Sequence, residues 1–271
     1  MGSAVRRNEV ALQPNGTVRL ARVATGGHGS TADLLRLMGA GVNDREPGAD
    51  MPVPLRRLQA GETLFHEGAQ AEAVYFVRAG TFKTIRTAED GYEQVLGFAG
   101  RAELLGFDAV CMDCHPTAAV ALEDSSVYVI LVRAIFTLGQ RIPALNRVVH
   151  LAVSSALTRR GELAEVMAAV AAEVRLARFL VQLSQRMAAC GQSARRIHLR
   201  MSRRDIASHL GVAHETVSRS FGVLVDWGLL RVDNREVEIL DMDGLRALSR
   251  STRRQAEEPV RASAPRLAVV P

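Results

Sequence analysis

Along residues 55–132 the hydrophobic positions come in short runs broken by glycine: GETLFHEG, AVYFVRAGTFKTIR, AEDGYEQVLGF and SSVYVILV. Runs of this length, rich in β-branched and aromatic residues, predict strands joined by tight turns, with Gly80 and Asp90-Gly91 at hairpins. Together they make a compact β-roll of roughly 80 residues. After Pro143 the period lengthens. A helix is expected from Ala144 to Val170, interrupted only by Gly161, and Val153, Arg160 and Met167 fall seven apart with Leu157 and Ala164 between them. That alternation of three and four is coiled-coil spacing, so two copies of this helix are expected to pack together along it. Arg160 inside the seam either conditions the pairing, by meeting its symmetry mate, or snorkels to water along the rim. EVRLARFLVQLSQRM (173–187) continues as a second amphipathic helix. The first fifty residues, rich in Gly, Arg, Asn and Pro, offer only TADLLRLM (31–38) as two helical turns and read as mostly disordered.

The segment MSRRDIASHLGVAHETVSRSFGVLVDWGLL (201–230) has the anatomy of a helix-turn-helix. Ser202 with Asp205 three residues later makes a capping-box start, and Ile206, Ala207 and Leu210 give the first helix its apolar face. Gly211 supplies the left-handed turn that ends it. A second helix begins at His214, with Val217, Phe221, Leu224 and Val225 facing inward. Its N-cap is Ala213, where a serine or threonine would contribute about 1 kcal/mol more. Glu215, Ser218 and Arg219 stand at i, i+3 and i+4 and share one outward face near the helix N-terminus. In such motifs that part of the helix reaches base edges in the major groove. Arg219 suits a bidentate pair with guanine O6 and N7, Glu215 accepts from an exocyclic amino group, and Ser218 bonds either way. Ser202, Arg203, His214, Thr216 and Arg231 are the candidates for the DNA backbone. LLRVDNREVEIL (229–240) reads as two short strands around Asp233-Asn234, the wing of a winged helix, with Arg235 a further basic residue on it.

Charge sharpens this picture. The net charge is +5, Lys83 is the only lysine, and residues 195–254 hold twelve arginines against eight acids. Such a segment is drawn to double-stranded DNA through its phosphates. No stretch approaches the roughly 20 apolar residues of a membrane span, and no hydrophobic region follows the N-terminal arginines as in a signal peptide. A cytoplasmic location without membrane association is expected. No catalytic triad, P-loop or metalloprotease spacing is present, so an enzyme is not expected.

The order of β-roll, long helix and winged helix resembles the CRP/FNR family of bacterial transcription regulators over residues 55–248. GFDAVCMDCHP with ALEDS is similar to the FNR branch's G-F-D-A-x4-H-P stretch, and ETVSR (215–219) resembles that branch's E-T-x-S-R recognition helix. The implied fold class is α+β. It comprises a mostly disordered 1–50, a sensory β-roll of the cyclic-nucleotide-binding-like jelly-roll type over 51–142, a dimerisation helix over 143–170, a winged helix-turn-helix over 171–248 and a disordered tail over 249–271. The resemblance further implies a homodimer that reads TTGAT-type palindromes through Glu215, Ser218 and Arg219. It implies a clusterless, FixK-like activator of low-oxygen or nitrogen-oxide responsive genes, with RNA polymerase as a partner touched by loops such as TAEDGYEQ (87–94).

The departures from the family pattern matter as much. FNR proper holds a [4Fe-4S] cluster through N-terminal cysteines and one in the β-roll. Here the first fifty residues contain no cysteine and Tyr128 occupies the β-roll position, so four thiolates are not at hand. The cyclic-nucleotide branch uses a Gly-Glu-Leu turn and a later arginine, where this chain has Ala102-Glu103-Leu104 and Thr117; no cation is left there for a cyclic phosphate. The resident cofactor is therefore expected to be none. Cys111-x-x-Cys114-His115 spells a haem attachment site or half a metal site. Three cysteines form no disulfide framework, and a lone Cys-Cys-His set lacks the fourth ligand of a closed zinc site. Three readings of the loop stay open: a thiol switch at Cys111 and Cys114, haem ligation with His66, His115 or His150 in a gas sensor of the same fold, and an uncommitted loop. A thiol redox protein built on C-x-x-C is the rival from another class, but the βαβ surroundings it needs are missing.

Overall fold

The computed structural model describes residues 25–39, 41 and 48–251. In chain order the elements are β1 (Thr25–Ser30), α1 (Thr31–Leu37), β2 (Pro52–Leu58), β3 (Thr63–Phe65), β4 (Ala73–Ala79), β5 (Phe82–Thr87), β6 (Glu93–Ala99), β7 (Leu104–Leu105), β8 (Ala118–Ala121) and β9 (Ser125–Leu131). Then follow α2 (Val132–Arg141), α3 (Pro143–Ala168), α4 (Ala172–Ala189), β10 (Arg196–His198), α5 (Arg203–Leu210), α6 (His214–Asp226), β11 (Leu230–Asp233), β12 (Glu236–Ile239) and α7 (Met242–Arg250). The chain divides into two units that meet between Thr158 and Arg159, within α3.

The first unit is built from two antiparallel sheets, ordered β1-β2-β9-β4-β7 and β3-β8-β5-β6. Alternation along β4 sends Val74 and Phe76 into one apolar cluster and Ala73 and Val77 into the other. The same period divides β9, with Tyr128 and Ile130 on one side and Val127, Val129 and Leu131 on the other. This is why β9 shows no polar alternation from Val127 to Leu131: every residue of the strand is buried, the two leading serines included. Asp90-Gly91 lies at the β5–β6 hairpin, as the sequence predicts.

Three boundaries differ from the sequence reading. Residues 25–39 are folded, although 1–50 reads as mostly disordered. β1 pairs with β2, and α1 starts from a capping box in which Ser30 and Asp33 hold each other's backbone N–H. Leu34 and Leu35 are fully buried in the first unit's core. A seven-residue helix is marginal by itself, and the burial of each leucine, about 1.5–3 kcal/mol, holds it in place. Residues 1–24 lie outside the described residues. The expected β-roll limit of 142 also gives way, because the chain turns helical at Val132.

In the second unit α4 packs against α6 and α7. Arg178 fastens this arrangement by donating to the terminal carbonyls of Ser249 (2.7 Å) and Ser251 (2.8 Å) and to that of Glu165. A cation at these orphan carbonyls completes the end of α7. β10, which the pattern did not predict, pairs with β12 and makes the wing a three-stranded sheet ordered β10-β12-β11. α7 extends to Arg250, past the expected limit of 248, and 252–271 lie outside the described residues. Among the described residues no helix is long and apolar enough to cross a membrane.

Candidate nucleic-acid interface

The turn between α5 and α6 is set by backbone chemistry. Ser202 caps α5: its Oγ accepts from Asp205 N (3.1 Å), and Asp205 Oδ2 accepts from Ser202 N (2.9 Å). Gly211 ends α5 at φ 62°, ψ 40°, a conformation that strains residues with a Cβ. From α4, Arg175 donates to Leu210 O (2.9 Å) and to Ala169 O (2.8 Å), which ties the turn to the end of α3. α6 then begins at His214, with Ala213 as an N-cap that supplies no side-chain bond. Its first-turn N–H groups therefore lack a capping side chain.

Glu215, Ser218 and Arg219 are exposed, and Val217, Ser220, Phe221 and Leu224 form the buried side of α6. Ser218 Oγ donates back to His214 O (3.3 Å). His214 is exposed and Thr216 half-buried on the same first turns. Val225 departs from the reading as an inward residue. It is 39% exposed, one position past Leu224, which is fully buried.

Two of the backbone candidates are taken up by the fold itself. Arg203 is half-buried, with its guanidinium carbon 3.5 Å from the centroid of the Phe221 ring and Nη2 donating to Asn234 O (3.0 Å). Burial lowers its pKa, and its Nη1 is buried without a hydrogen-bond partner. Arg203 thus clamps the start of α5 to α6 and to the wing turn. Ser202 is likewise spent on its cap, donating to Asp205 Oδ2 (2.6 Å) as well as accepting from Asp205 N. The exposed member of the arginine pair is Arg204, which the sequence reading counts only within the basic segment 195–254. Arg231 stays on the wing surface, paired with Glu238 (2.7 Å), its cross-strand neighbour.

The helical seam is divided among different surroundings. Val153 is half-buried against the core of the first unit. Leu157 is 63% exposed, and Arg160 and Ala164 are exposed with it. Met167 is partly exposed, and its Cε lies 2.7 Å from where a Cβ on Gly211 would stand. The exposed middle of the seam is Leu157, Arg160 and Ala164.

The Cys-x-x-Cys-His loop does not gather a ligand set. Cys111 is an exposed free thiol whose Sγ lies 3.6 Å from Asp108 O, and Cys114 is a half-buried one. His115 belongs to the core: it is 2% exposed, stacks on Phe65 with centroids 3.9 Å apart, and its Nδ1 has no hydrogen-bond partner. Burial holds its pKa below the usual histidine range. His66 is exposed, and exposed His150 spends its Nδ1 on Asn146 O (2.8 Å). Among the described residues no three His, Cys, Asp or Glu side chains are grouped to hold a metal ion.

Comparison with known proteins bears on both units. Residues 55–141 match the cyclic nucleotide-binding domain family, and residues 174–248 match the Crp-like helix-turn-helix domain family. The chain is 39% identical over 192 residues to the transcriptional regulatory protein btr of Bordetella pertussis, covering 71% of this chain and 79% of the relative. It is 37% identical over 194 residues to the transcriptional activator protein FnrA of Stutzerimonas stutzeri, covering 72% and 80%. Its fold is similar to that of FixK2 from Bradyrhizobium japonicum, with a TM-score of 0.66, 24% identity, and coverage of 73% of this chain and 98% of the other.

The ligands that these likenesses bring to mind do not suit the residues present. At the cyclic-nucleotide turn Ala102 stands at φ 66°, where glycine would be unstrained, and Thr117 is a buried neutral side chain. Neither neutralises a cyclic phosphate. An iron–sulfur cluster asks for four thiolates, while the whole chain has three cysteines and a buried Tyr128 at the β-roll position.

Proposed function

We propose that this chain, which belongs to the CRP/FNR family of transcription regulators, acts as a homodimer that reads TTGAT-type palindromes through Glu215, Ser218 and Arg219. The observation that carries the reading is the joint exposure of these three side chains on the first turns of α6, beyond a turn held by Gly211 and Arg175. Arg219 takes guanine by its bidentate fork, and Glu215 accepts from an amino group at the neighbouring pair. Arg204, His214, Thr216 and Arg231 serve the phosphates, with Arg231 exchanging Glu238 for DNA. Two copies associate along Leu157, Arg160 and Ala164, whose exposure supports a helix-to-helix contact. Activation of low-oxygen or nitrogen-oxide responsive genes follows from the likeness of ETVSR and of the GFDA stretch to the FNR branch. The relative named as a transcriptional activator supports that direction of control. The exposed hairpin tip at 88–92 is the proposed RNA polymerase contact.

Retardation of a DNA duplex carrying a TTGAT palindrome, measured against one with the half-sites scrambled, tests the reading. Salt-sensitive, palindrome-selective binding is expected, and Arg219→Ala should weaken it by about 1–3 kcal/mol while relaxing selectivity at the paired guanine. Equal affinity for the two duplexes would overturn it.

A further inference from the structure

The outward face of the wing sheet is a ladder of charge. Alternation buries Ile197, Leu230, Val237 and Ile239 and sets Arg196 and His198 of β10, Glu236 and Glu238 of β12, and Arg231 and Asp233 of β11 on the opposite side. The register arranges them in two rows, Arg196, Glu238 and Arg231 in one and His198, Glu236 and Asp233 in the other. Two guanidiniums thus share this face with three carboxylates. The arginines of 195–254 give that segment its basic count, but this face of it holds no positive excess.

Glu238 is shared between the two arginines. Its Oε2 accepts from Arg231 Nη1 at 2.7 Å, and its Oε1 lies 3.7 Å from Arg196 Nε. The side chains of Arg231 and Arg196 are 70% and 80% exposed and that of Glu238 is 31%, so the shared acid is the most sheltered of the three. In the other row Glu236 pairs with His198, and Asp233 stands opposite Glu236 in the strand register. An exposed ion pair of this kind adds little to stability, so exchanging it for a phosphate is cheap. Leaving Glu238 with neither partner is the costly outcome, because its charge would then face a phosphate at close range. Arg196 prevents that: its pairing is the looser of the two, and a short swing brings it onto the carboxylate that Arg231 vacates.

We propose that Glu238 restrains the wing's affinity for DNA phosphates and that Arg196 is the relay that releases Arg231 to them. This inference rests on the DNA reading above and deepens it. In the free protein the carboxylate holds both arginines; on DNA, Arg231 turns to a phosphate and Arg196 closes on Glu238. The restraint acts alike on every sequence, since phosphate contacts carry no sequence information directly. It lowers affinity for the palindrome and for chance DNA by the same factor, and selectivity is left to Glu215, Ser218 and Arg219. Glu238 and Arg196 are positioning residues, because both act through Arg231.

The experiment is a fluorescence anisotropy titration of two duplexes, a TTGAT palindrome and its scrambled counterpart, with the full-length protein across a salt series. Glu238→Gln keeps the shape of the side chain and should bind both duplexes about fivefold more tightly, the size of one water-screened charge contact. Its log affinity should fall more steeply against log salt, by about 1 in slope. Arg196→Gln should weaken binding to both duplexes by a similar factor, and should have little effect once Glu238→Gln is present. Both single variants and the double variant should keep the wild-type unfolding temperature, since exposed pairs carry little stability. Unchanged affinity and slope in Glu238→Gln, or an Arg196→Gln loss of equal size with and without Glu238, would overturn the restraint and leave a palindrome-selective wild type supporting the DNA reading. If the wild type binds both duplexes equally while Glu238→Gln still tightens that binding, the TTGAT reading fails and the restraint holds. No binding of either duplex by any of the proteins would overturn both.

Discussion

The guanidinium carbon of Arg203 stands 3.5 Å from the centre of the Phe221 ring, so the first residue of α5 is held by the core side of α6. Its other bond, to Asn234 O, reaches the wing turn. One side chain thereby joins α5, α6 and the wing turn, and an arginine that looks like a phosphate contact in the sequence is held by the fold.

Arg203 and Arg204 should therefore separate cleanly on substitution. Arg203→Ala is expected to destabilise the second unit by about 1–3 kcal/mol through the lost cation–π contact and hydrogen bond. The slope of log affinity against log salt should stay unchanged in that variant. Arg204→Ala should leave stability within about 0.5 kcal/mol and reduce that slope by about 1. Thermal unfolding beside a salt series of DNA binding decides; a reduced slope in Arg203→Ala would restore it as a phosphate contact.

Gly211→Ala should cost about 1–2 kcal/mol, because the backbone there is left-handed. The added Cβ also meets Met167 Cε, the far end of a flexible side chain that can swing away. Met167→Ala in the same background should therefore recover only a small part of the loss. Denaturant unfolding of the two single variants and the double variant measures the coupling; full recovery would mean that sterics rather than backbone strain dominates.

His115 makes the first unit sensitive to acid. Its folded pKa is depressed by burial, so at pH below about 6.5 the unfolded chain binds the proton more readily than the folded one. Stability is complete above that value and declines as pH falls from it toward the lower folded pKa. His115→Phe keeps a ring to stack on Phe65 and removes the unpartnered Nδ1. Chemical unfolding between about pH 7.5 and 5, a range that brackets the reference histidine value, should show a shallower decline in this variant. An identical decline in both proteins would assign the acid sensitivity elsewhere.

Local patterning was enough to read several parts of this protein. Short β-branched and aromatic runs broken by glycine placed the main strands of the roll, the Ser202–Asp205 spacing placed the start of α5, Gly211 placed the turn, and the i, i+3, i+4 spacing placed Glu215, Ser218 and Arg219 on one outward face. Each depends on residues only a few positions apart, where backbone geometry converts spacing into direction. Tertiary structure alone decided matters that hinge on distant partners. Nothing near Arg203 in the chain announces Phe221 or Asn234, so which of two adjacent arginines stays exposed was settled by packing. The folding of 25–39 depends on a core assembled from β2, β4 and β9, to which a short leucine pair contributes only once those strands are in place. Sequence spacing sets which way a side chain points along its own element; the opposing element sets what it meets.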